Sequence, residues 1–321
     1  MTVDALSSLI ESEIKKLEWK RQPANLYEPI EYIMSLGGKR MRPLLVLLGY
    51  SLYRNDPERI IKPALAVEIF HNFTLMHDDI MDKAPIRRGQ PTVHEKWNET
   101  IAILSGDTMM VKAYEMLINM DPKDLPRAIA LFNTCAIEVC EGQQMDMNFE
   151  SEDVVHIDEY LEMIRLKTAV LLGFSLELGG LLAGADEAQQ KGLYDFGIHL
   201  GMSFQLMDDH LDTFGGDSFG KQIGGDIRSN KKTFLMISAL DQASPEKNAE
   251  LQQWINTTDR DEEKVAAVTD IYRQGGIETL SKEKIHGYAN KAVELLNGLH
   301  GNEAIKEILM GYIHQLNQRV V

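Results

Sequence analysis

Positive charge is scarce in this chain: 33 lysines and arginines stand against 49 aspartates and glutamates, a formal net charge of −16 over 321 residues. A partner held by general electrostatic attraction to a polyanion, nucleic acid included, is therefore excluded. Cysteine is almost absent. Cys135 and Cys140 lie five apart, where a helix points them in different directions, so neither a disulfide nor a thiolate metal pair is expected. Both read as free buried thiols in a reducing compartment. Alternating β-branched runs with paired turn residues are missing, which excludes a sheet-based fold. Low-complexity linkers and short-period repeats are missing too, so a single domain over 1–321 is expected, although the length alone allows two. The longest apolar run, TAVLLGFSLELGGLLAGA at 168–185, approaches a membrane span, but Glu177 and four glycines interrupt it. It reads as a buried core helix that breaks near Gly179 and Gly180. The first twenty residues form an amphipathic helix of mixed charge rather than a secretory leader, so a soluble, cytoplasmic protein without stable membrane insertion is expected.

Helical periodicity is what the chain has in abundance. It predicts helices near 2–20, 25–36, 43–53, 60–83, 99–119, 124–149, 157–183 and 187–213, then 231–241, 246–256, 261–274, 277–298 and 302–318. The glycine-rich stretch 214–230 (FGGDSFGKQIGGDIRSN) reads as a loop long enough to act as a lid. The expected fold is all-α: one bundle of about a dozen helices around a central substrate cavity.

The chemistry centres on FHNFTLMHDDIMDKAPIRRGQPTVH, residues 70–94. Asp78 and Asp82 are i and i+4 on a helix, so both carboxylates leave the same face and repel each other. In an apolar helix they call for a cation. Oxygen-only ligands with no cysteine nearby suit Mg²⁺ shared with substrate phosphates. Arg87 and Arg88 follow as phosphate clamps. A second triplet, Asp208, Asp209 and Asp212 in FQLMDDHLD, has the same spacing. Two such triplets are hard to explain as solvated surface charge, and bundles build metal sites from inward carboxylates on facing helices.

Cations recur where anions would be held. GGKRMRP (37–43) sets three of them at a helix start, where free N–H groups already favour an anion. Lys167 interrupts an apolar helix and needs an anionic partner there. Lys221, Asp226, Lys231 and Lys232 surround the glycine loop. Gln143 and Asp146 share a face of another helix, and His71 lies about two turns before Asp78. One set of phosphate handles is metal-based and the other purely cationic. That implies two phosphorylated substrates, or one with two phosphate groups. Walls of Phe, Leu and Met suit a hydrocarbon carrying a diphosphate, which metal and cations would stabilise as a leaving group in a dry cavity.

On these residues the chain resembles the trans-isoprenyl diphosphate synthases. The resemblance rests on GGKRMRP (37–43), HNFTLMHDDIMDKAPIRRG (71–89), GQQMD (142–146), KT (167–168), FQLMDD..D (204–212) and GKQIGGDIRSNK (220–231), in the family's order and spacing. It implies a homodimer of helical bundles that condenses isopentenyl diphosphate with an allylic diphosphate by ionisation, condensation and elimination. It implies three Mg²⁺ ions per site, with Mn²⁺ as a substitute. By that resemblance Asp78, Asp82 and Asp208 hold the metal, with Asp212 and Asp146 completing the set and Asp79 and Asp209 polarising it. Arg87, Lys167, Lys221, Lys231 and Gln143 would contact the allylic diphosphate. Lys39, Arg42, His71 and Arg88 would hold isopentenyl diphosphate without metal. Thr168 and Gln205 would lie beside the developing cation.

Three rivals share parts of this pattern. A terpene cyclase needs one diphosphate site, whereas this chain has two sets of handles. A metal phosphohydrolase could use His71, His77 and Asp78, but would leave the second triplet idle. A non-catalytic subunit would tend to lose aspartates that are intact here. Product length is read from the residues before Asp78. Phe73 lies roughly 7–8 Å and Phe70 roughly 12 Å down the helix axis, with Thr74 leaving room beside them. In the resembling family that pattern goes with short chains, which implies geranylgeranyl diphosphate (C20), with farnesyl diphosphate (C15) as the alternative. Core packing without a floor role is the competing reading of Phe73.

Overall fold

A computed structural model describes residues 2–215 and 223–318. Among the described residues the chain is helical almost throughout. A single hairpin of two-residue strands, β1 (Ile86–Arg87) and β2 (Gln90–Pro91), is the one departure in kind from the expected pattern. Packing divides the chain into two units interleaved in sequence. The first runs to Thr134 and adds Phe174–Leu193 and His300–Ile308; the second takes Cys135–Gly173, Tyr194–Leu299 and the residues from Leu309 on.

In the first unit, α1 (Val3–Ile14), α2 (Ala24–Ser35), α3 (Met41–Ser51), α4 (Ile61–Met81) and α6 (Glu99–Leu117) surround one core, with the one-turn α5 (Val93–Lys96) beside them. Helix α1 stops six residues short of the expected end, past Ile14. Nine consecutive residues of α3, Pro43–Ser51, are buried, the signature of a helix covered on every side. The first half of α4 is equally enclosed. Beyond Phe70 only Asn72, Met76 and Asp79 remain buried, so its C-terminal half presents one open face.

The expected break at Gly179 and Gly180 does not occur. Helix α9 (Val170–Ala183) runs through both glycines. Their role is proximity: a Cβ on Gly179 would come within 2.2 Å of the Val46 carbonyl oxygen and 2.6 Å of the Tyr50 nitrogen. Gly49 meets the Leu176 carbonyl in the same way, at 2.5 Å. The two backbones touch, which only residues without a side chain allow. The irregularity of this long helical stretch lies earlier, in a π turn over Arg165–Ala169 that joins α8 (Ile157–Ile164) to α9. Of the two thiols Cys135 is buried as expected, but Cys140 is exposed, because its position on α7 (Leu125–Ser151) turns outward. The segment Ile157–Ala183 is long and apolar enough to cross a membrane, and 78% of its most apolar window is buried inside the protein.

The second unit is built on α10 (Glu187–Phe214), α12 (Phe234–Gln242), α13 (Pro245–Ile255), α14 (Asp261–Gln274) and α15 (Ile277–Gly298), around Leu235, Met236, Leu251, Val268, Tyr272 and Ile277. The expected loop at 214–230 contains a one-turn helix, α11 (Gly225–Arg228), whose Ile227 joins that core. The last helix is α16 (Glu303–Gln318).

The backbone contact makes a stability prediction. Gly179→Ala forces α3 and α9 apart and should cost about 1–3 kcal/mol. Scanning calorimetry should then show a fall of several degrees, at about 2–4 °C per kcal/mol for a large domain. Gly287→Ala, on the exposed side of α15 with nothing within 4 Å of the added methyl, should instead stabilise, by roughly 0.5–1 kcal/mol. A Gly179→Ala protein that melts with the wild type would refute the contact.

Candidate active site

Helix α4 delivers the first aspartates. Asp79 faces inward and is 2% exposed; Asp78 is partly buried; Asp82 caps the helix and is exposed. The carboxylate of Asp79 accepts from the Nε of Arg87 at 2.8 and 2.9 Å and pairs with its Nη2 at 2.8 Å, while Nη2 lies 3.5 Å from Asp78. Burial raises the Asp79 carboxyl above its ordinary range, and Arg87 opposes that shift. The hairpin places Arg87: Arg88 and Gly89, with φ of 53° and 75°, form a tight two-residue turn between paired Arg87 and Gln90. Thr92 anchors the hairpin base by donating to the Ala84 carbonyl at 2.7 Å.

A cationic group forms in the same unit. Arg88, from that turn, donates to the Gly37 carbonyl, and its guanidinium lies against Gly38. Burial first, then Arg42, Arg88, Arg87 and Arg40, push the His71 imidazole well below its ordinary pKa. Lys39 is exposed and Arg42 partly buried in the first turn of α3. Arg40 departs from the expected trio of cations. It turns inward and is 6% exposed, donating to Glu68 at 2.6 Å, Glu11 at 3.0 Å and the Met34 carbonyl at 2.6 Å. Removing one partner of such a buried pair typically costs about 3–5 kcal/mol. Glu68 was passed over in the sequence, yet a lone acid inside LAVEIF, one turn before His71, is itself the mark of a buried cation.

The second unit assembles the other group around the π turn. Gly142 of α7 leaves 2.3 Å between its hypothetical Cβ and the Lys167 nitrogen, and Gly201 of α10 leaves 2.6 Å to the Ala169 Cα. One helical turn beyond each glycine stands a polar partner. Asp146 accepts from Lys167 at 2.6 Å, and Gln205 accepts from the Thr168 hydroxyl at 3.0 Å. Adjacent residues on a helix diverge by about 100°, so Lys167 reaches α7 while Thr168 reaches α10. Gln205 passes the chain on, donating to Asp209 at 2.9 Å, and Asp209 accepts a second bond from the Tyr160 hydroxyl. Tyr160 is invisible to motif reading; two helical turns before Lys167 is its one sequence cue.

Lys231 lies 3.7 Å from Asp146. Burial opposes ionisation there, but Lys231 and Lys167 hold the Asp146 carboxyl below its usual range. Asp146 is thus a lysine partner in this arrangement before it is a metal ligand. Asp212 accepts from the Asp226 backbone N–H at 2.9 Å, fixing the start of α11. Burial pushes Asp209 and Asp226 upward, and neighbouring carboxylates add to the shift of Asp226. Lys232 donates to the Phe149 carbonyl at 2.9 Å. The Nε2 of Gln143 is buried without a hydrogen-bond partner, as a group reserved for a ligand would be. Lys221 lies outside the described residues.

Among the described residues no three acidic, histidine or cysteine side chains are already gathered as a metal cage. The carboxylates of Asp78 and Asp82 on α4 and, separately, of Asp208 and Asp212 on α10 are hard oxygen donors, the chemistry that fits Mg²⁺, which takes one or two carboxylates and completes its shell with water and phosphate oxygens.

Helices carrying two aspartate triplets, lysines paired with carboxylates and a separate group of arginines make up an all-α protein of the isoprenoid synthase type. The chain belongs to the polyprenyl synthetase family, whose model matches residues 23–272. A geranylgeranyl pyrophosphate synthase of Geoglobus acetivorans is 37% identical over 91% of each chain. A geranylgeranyl diphosphate synthase of Saccharolobus solfataricus is 36% identical over 97% of this chain and 92% of its own. A crystal structure of a geranylgeranyl pyrophosphate synthase matches with a TM-score of 0.94 and 41% identity, covering 99% of both chains. Membership implies a divalent metal cofactor.

The two aspartate sets should be separately indispensable. EDTA should abolish turnover, and Asp78→Ala or Asp208→Ala should each lower kcat by orders of magnitude in steady-state assays, since metal-held charge stabilisation is worth several kcal/mol. Full activity in EDTA or in either variant would show that the triplets hold no catalytic metal.

Proposed function

We propose that this protein is a short-chain trans-prenyltransferase that condenses isopentenyl diphosphate with an allylic diphosphate, its product geranylgeranyl diphosphate. The observation that carries the reading is the coexistence of two unlike sets of phosphate handles. One joins aspartates to lysines and suits a metal-bound diphosphate. The other, the cations Lys39, Arg42 and Arg88 with the His71 imidazole, carries no aspartate pair and suits a diphosphate without metal. A terpene cyclase has no use for the second. A phosphohydrolase centre is disfavoured because the His77 ring packs on Gly106, and its Nε2 sits 3.1 Å from the Ile103 carbonyl.

By the family resemblance Arg87, Lys167, Lys221, Lys231 and Gln143 are the residues that would contact the allylic diphosphate. The carboxylates of Asp78, Asp82, Asp208 and Asp212 are those that would hold Mg²⁺, which would supply charge neutralisation to a leaving diphosphate. Asp79 holds Arg87 toward that group, and Asp146 does the same for Lys167 and Lys231. The Thr168 hydroxyl and Gln205, locked together by Asp209 and Tyr160, present fixed dipoles beside the cation. Lys39, Arg42, His71 and Arg88 orient the isopentenyl chain for attack. The released diphosphate is the base that removes the final proton, so no histidine–carboxylate pair is required.

We read residues 1–321 as one synthase domain, cytoplasmic and homodimeric. Support for a dimer comes from α6, where Leu104, Val111 and Ile118 recur every seven residues and are 57%, 66% and 57% exposed. An apolar stripe of this kind suits a second copy of the chain better than water. Val111→Asp should turn a dimer into a monomer in light scattering; a wild-type monomer would sink the assignment.

Phe73 is the partly exposed end of an aromatic stack. Its ring lies 5.7 Å from Phe70, which is fully buried and lies 5.1 Å from Phe132. Phe132 rests on Tyr114 at 4.9 Å and Phe174 at 5.8 Å. The Thr74 hydroxyl is tied to the His71 carbonyl at 2.8 Å. A floor backed by such a stack resists a growing chain, which supports a C20 product over a longer one. Incubation with isopentenyl diphosphate, Mg²⁺ and C5, C10 or C15 primers, followed by chromatography of the products, should show C20 as the endpoint. Phe73→Ala should extend products by one or more C5 units. Wild-type products of C30 or more, or an unchanged distribution in the variant, would remove Phe73 as the floor.

A further inference from the structure

We propose that Arg40 and Glu68 are positioning residues for the isopentenyl substrate: their buried ion pair sets the turn at 37–40 and, through it, the spacing of Lys39, Arg42, His71 and Arg88. The inference rests on the reading above that those four residues hold isopentenyl diphosphate.

Each edge of the Arg40 guanidinium has its own partner. Nη1 donates to Glu68 at 2.6 Å, Nε to Glu11 at 3.0 Å and Nη2 to the Met34 carbonyl at 2.6 Å. All three nitrogens are engaged inside the protein and the residue is 6% exposed, so Arg40 is placed as a support rather than as a phosphate contact. The turn itself is conformationally demanding. Gly37, Gly38 and Arg40 have φ of 74°, 138° and 44°. A non-glycine residue with φ in that region persists only where its surroundings impose it. The turn is pinned at two carbonyls, Met34 by Arg40 and Gly37 by Arg88.

Glu68 connects the turn to α4. Asn72 donates to the Glu68 carboxylate at 3.0 Å and to its backbone carbonyl at 2.8 Å, and Asn72 directly follows His71. One carboxylate therefore ties the segment bearing Lys39 and Arg42 to the helix bearing His71. It is also the buried negative charge beneath a group of cations. Arg40 disfavours the charged form of Arg88, and Glu68 opposes that effect. Without Glu68 the guanidinium of Arg40 would lose its buried partner, and the cations would repel one another with nothing beneath them. The spacing needed for a diphosphate would relax.

Two variants test this by different routes. Glu68→Gln keeps the shape and removes the charge; Arg40→Lys keeps the charge, but a single ammonium cannot replace a three-edged fork. In steady-state assays each should raise KM for isopentenyl diphosphate by about tenfold or more, with KM for the allylic primer within about twofold of wild type. At saturation kcat should stay within about threefold of wild type, because the lost interaction is one of ground-state binding. Calorimetric titration with isopentenyl diphosphate, without metal, should show the same loss. Glu11→Gln, at a more exposed partner, should have a smaller effect in both measurements. Equal rises in both KM values, a fall confined to kcat, or a lowered Tm with unchanged affinity for isopentenyl diphosphate would overturn the positioning role. If Glu68→Gln does not fold, Arg40→Lys and Asn72→Ala carry the comparison. A wild-type protein that neither binds nor condenses isopentenyl diphosphate overturns the functional reading and this inference with it. An active wild type with unaltered variants overturns the inference alone.

Discussion

The chemistry of the second unit depends on how closely three stretches of backbone approach one another. Gly142 and Gly201 each bring a helix to within backbone contact of the π turn at 165–169. Side chains at those two positions would push α7 and α10 outward by more than a hydrogen bond can stretch. Asp146 and Gln205 sit one turn beyond the glycines, so their distances to Lys167 and Thr168 are inherited from that contact. The π turn supplies the other half of the arrangement. Its wider winding, with the Val170 N–H bonded back to the Arg165 carbonyl, interrupts the regular helix where two functional side chains must leave toward different neighbours. Gly197, whose Cβ would meet the Gly173 Cα at 2.6 Å, continues the same seam one turn earlier on α10.

A chain of net charge −16 that binds two diphosphates must concentrate its cations and hold them still. The same device appears three times. Asp79 grips Arg87, Asp146 grips Lys167 and approaches Lys231, and Glu68 grips Arg40 beneath the remaining cations. In each case a buried carboxylate lowers the freedom of a long basic side chain. A preset cation loses less entropy when the phosphate arrives. The cost is partial neutralisation of the basic group. Around Arg40 the carboxylate engages the guanidinium that turns inward, leaving Lys39, Arg42 and Arg88 to set the local charge.

Legibility in the sequence followed the range of the interactions. Helices were visible because their pattern is local, and most of their ends agreed within a few residues, α1 excepted. Two irregularities were not visible. The π turn carries the same apolar pattern as an α-helix, and Gly179 reads as a breaker until the helix it touches is known. Thr168 and Gln205 were named only through the family resemblance, whereas the aspartates and Lys167 stood out because charge inside an apolar run is costly and demands a reason. Arg40 was misread by the same logic. Three cations in one short stretch look equivalent, and only the burial of Glu68 on a distant helix separates the inward one from the outward two. Tyr160 carried only its spacing from Lys167, since a tyrosine on an amphipathic helix is ordinary until its hydroxyl finds Asp209.

Chemistry and product length therefore stand on different footing. Ionising a diphosphate requires particular groups, oxygen donors for a hard cation and fixed cations for phosphate, and few residue types can supply them. Those groups leave a pattern that a reader can recognise. Stopping a hydrocarbon requires only bulk at the right depth, and bulk has no signature of its own. What makes Phe73 more than another core aromatic is the stack behind it. Phe70 belongs to the same helix, but Phe132, Tyr114 and Phe174 come from three others. A floor that must hold against a flexible prenyl chain needs that backing, because an unsupported ring would swing aside at the cost of a single rotamer change. If Phe73 is the floor proposed above, the stop is a property of tertiary packing that one helix begins and three others complete.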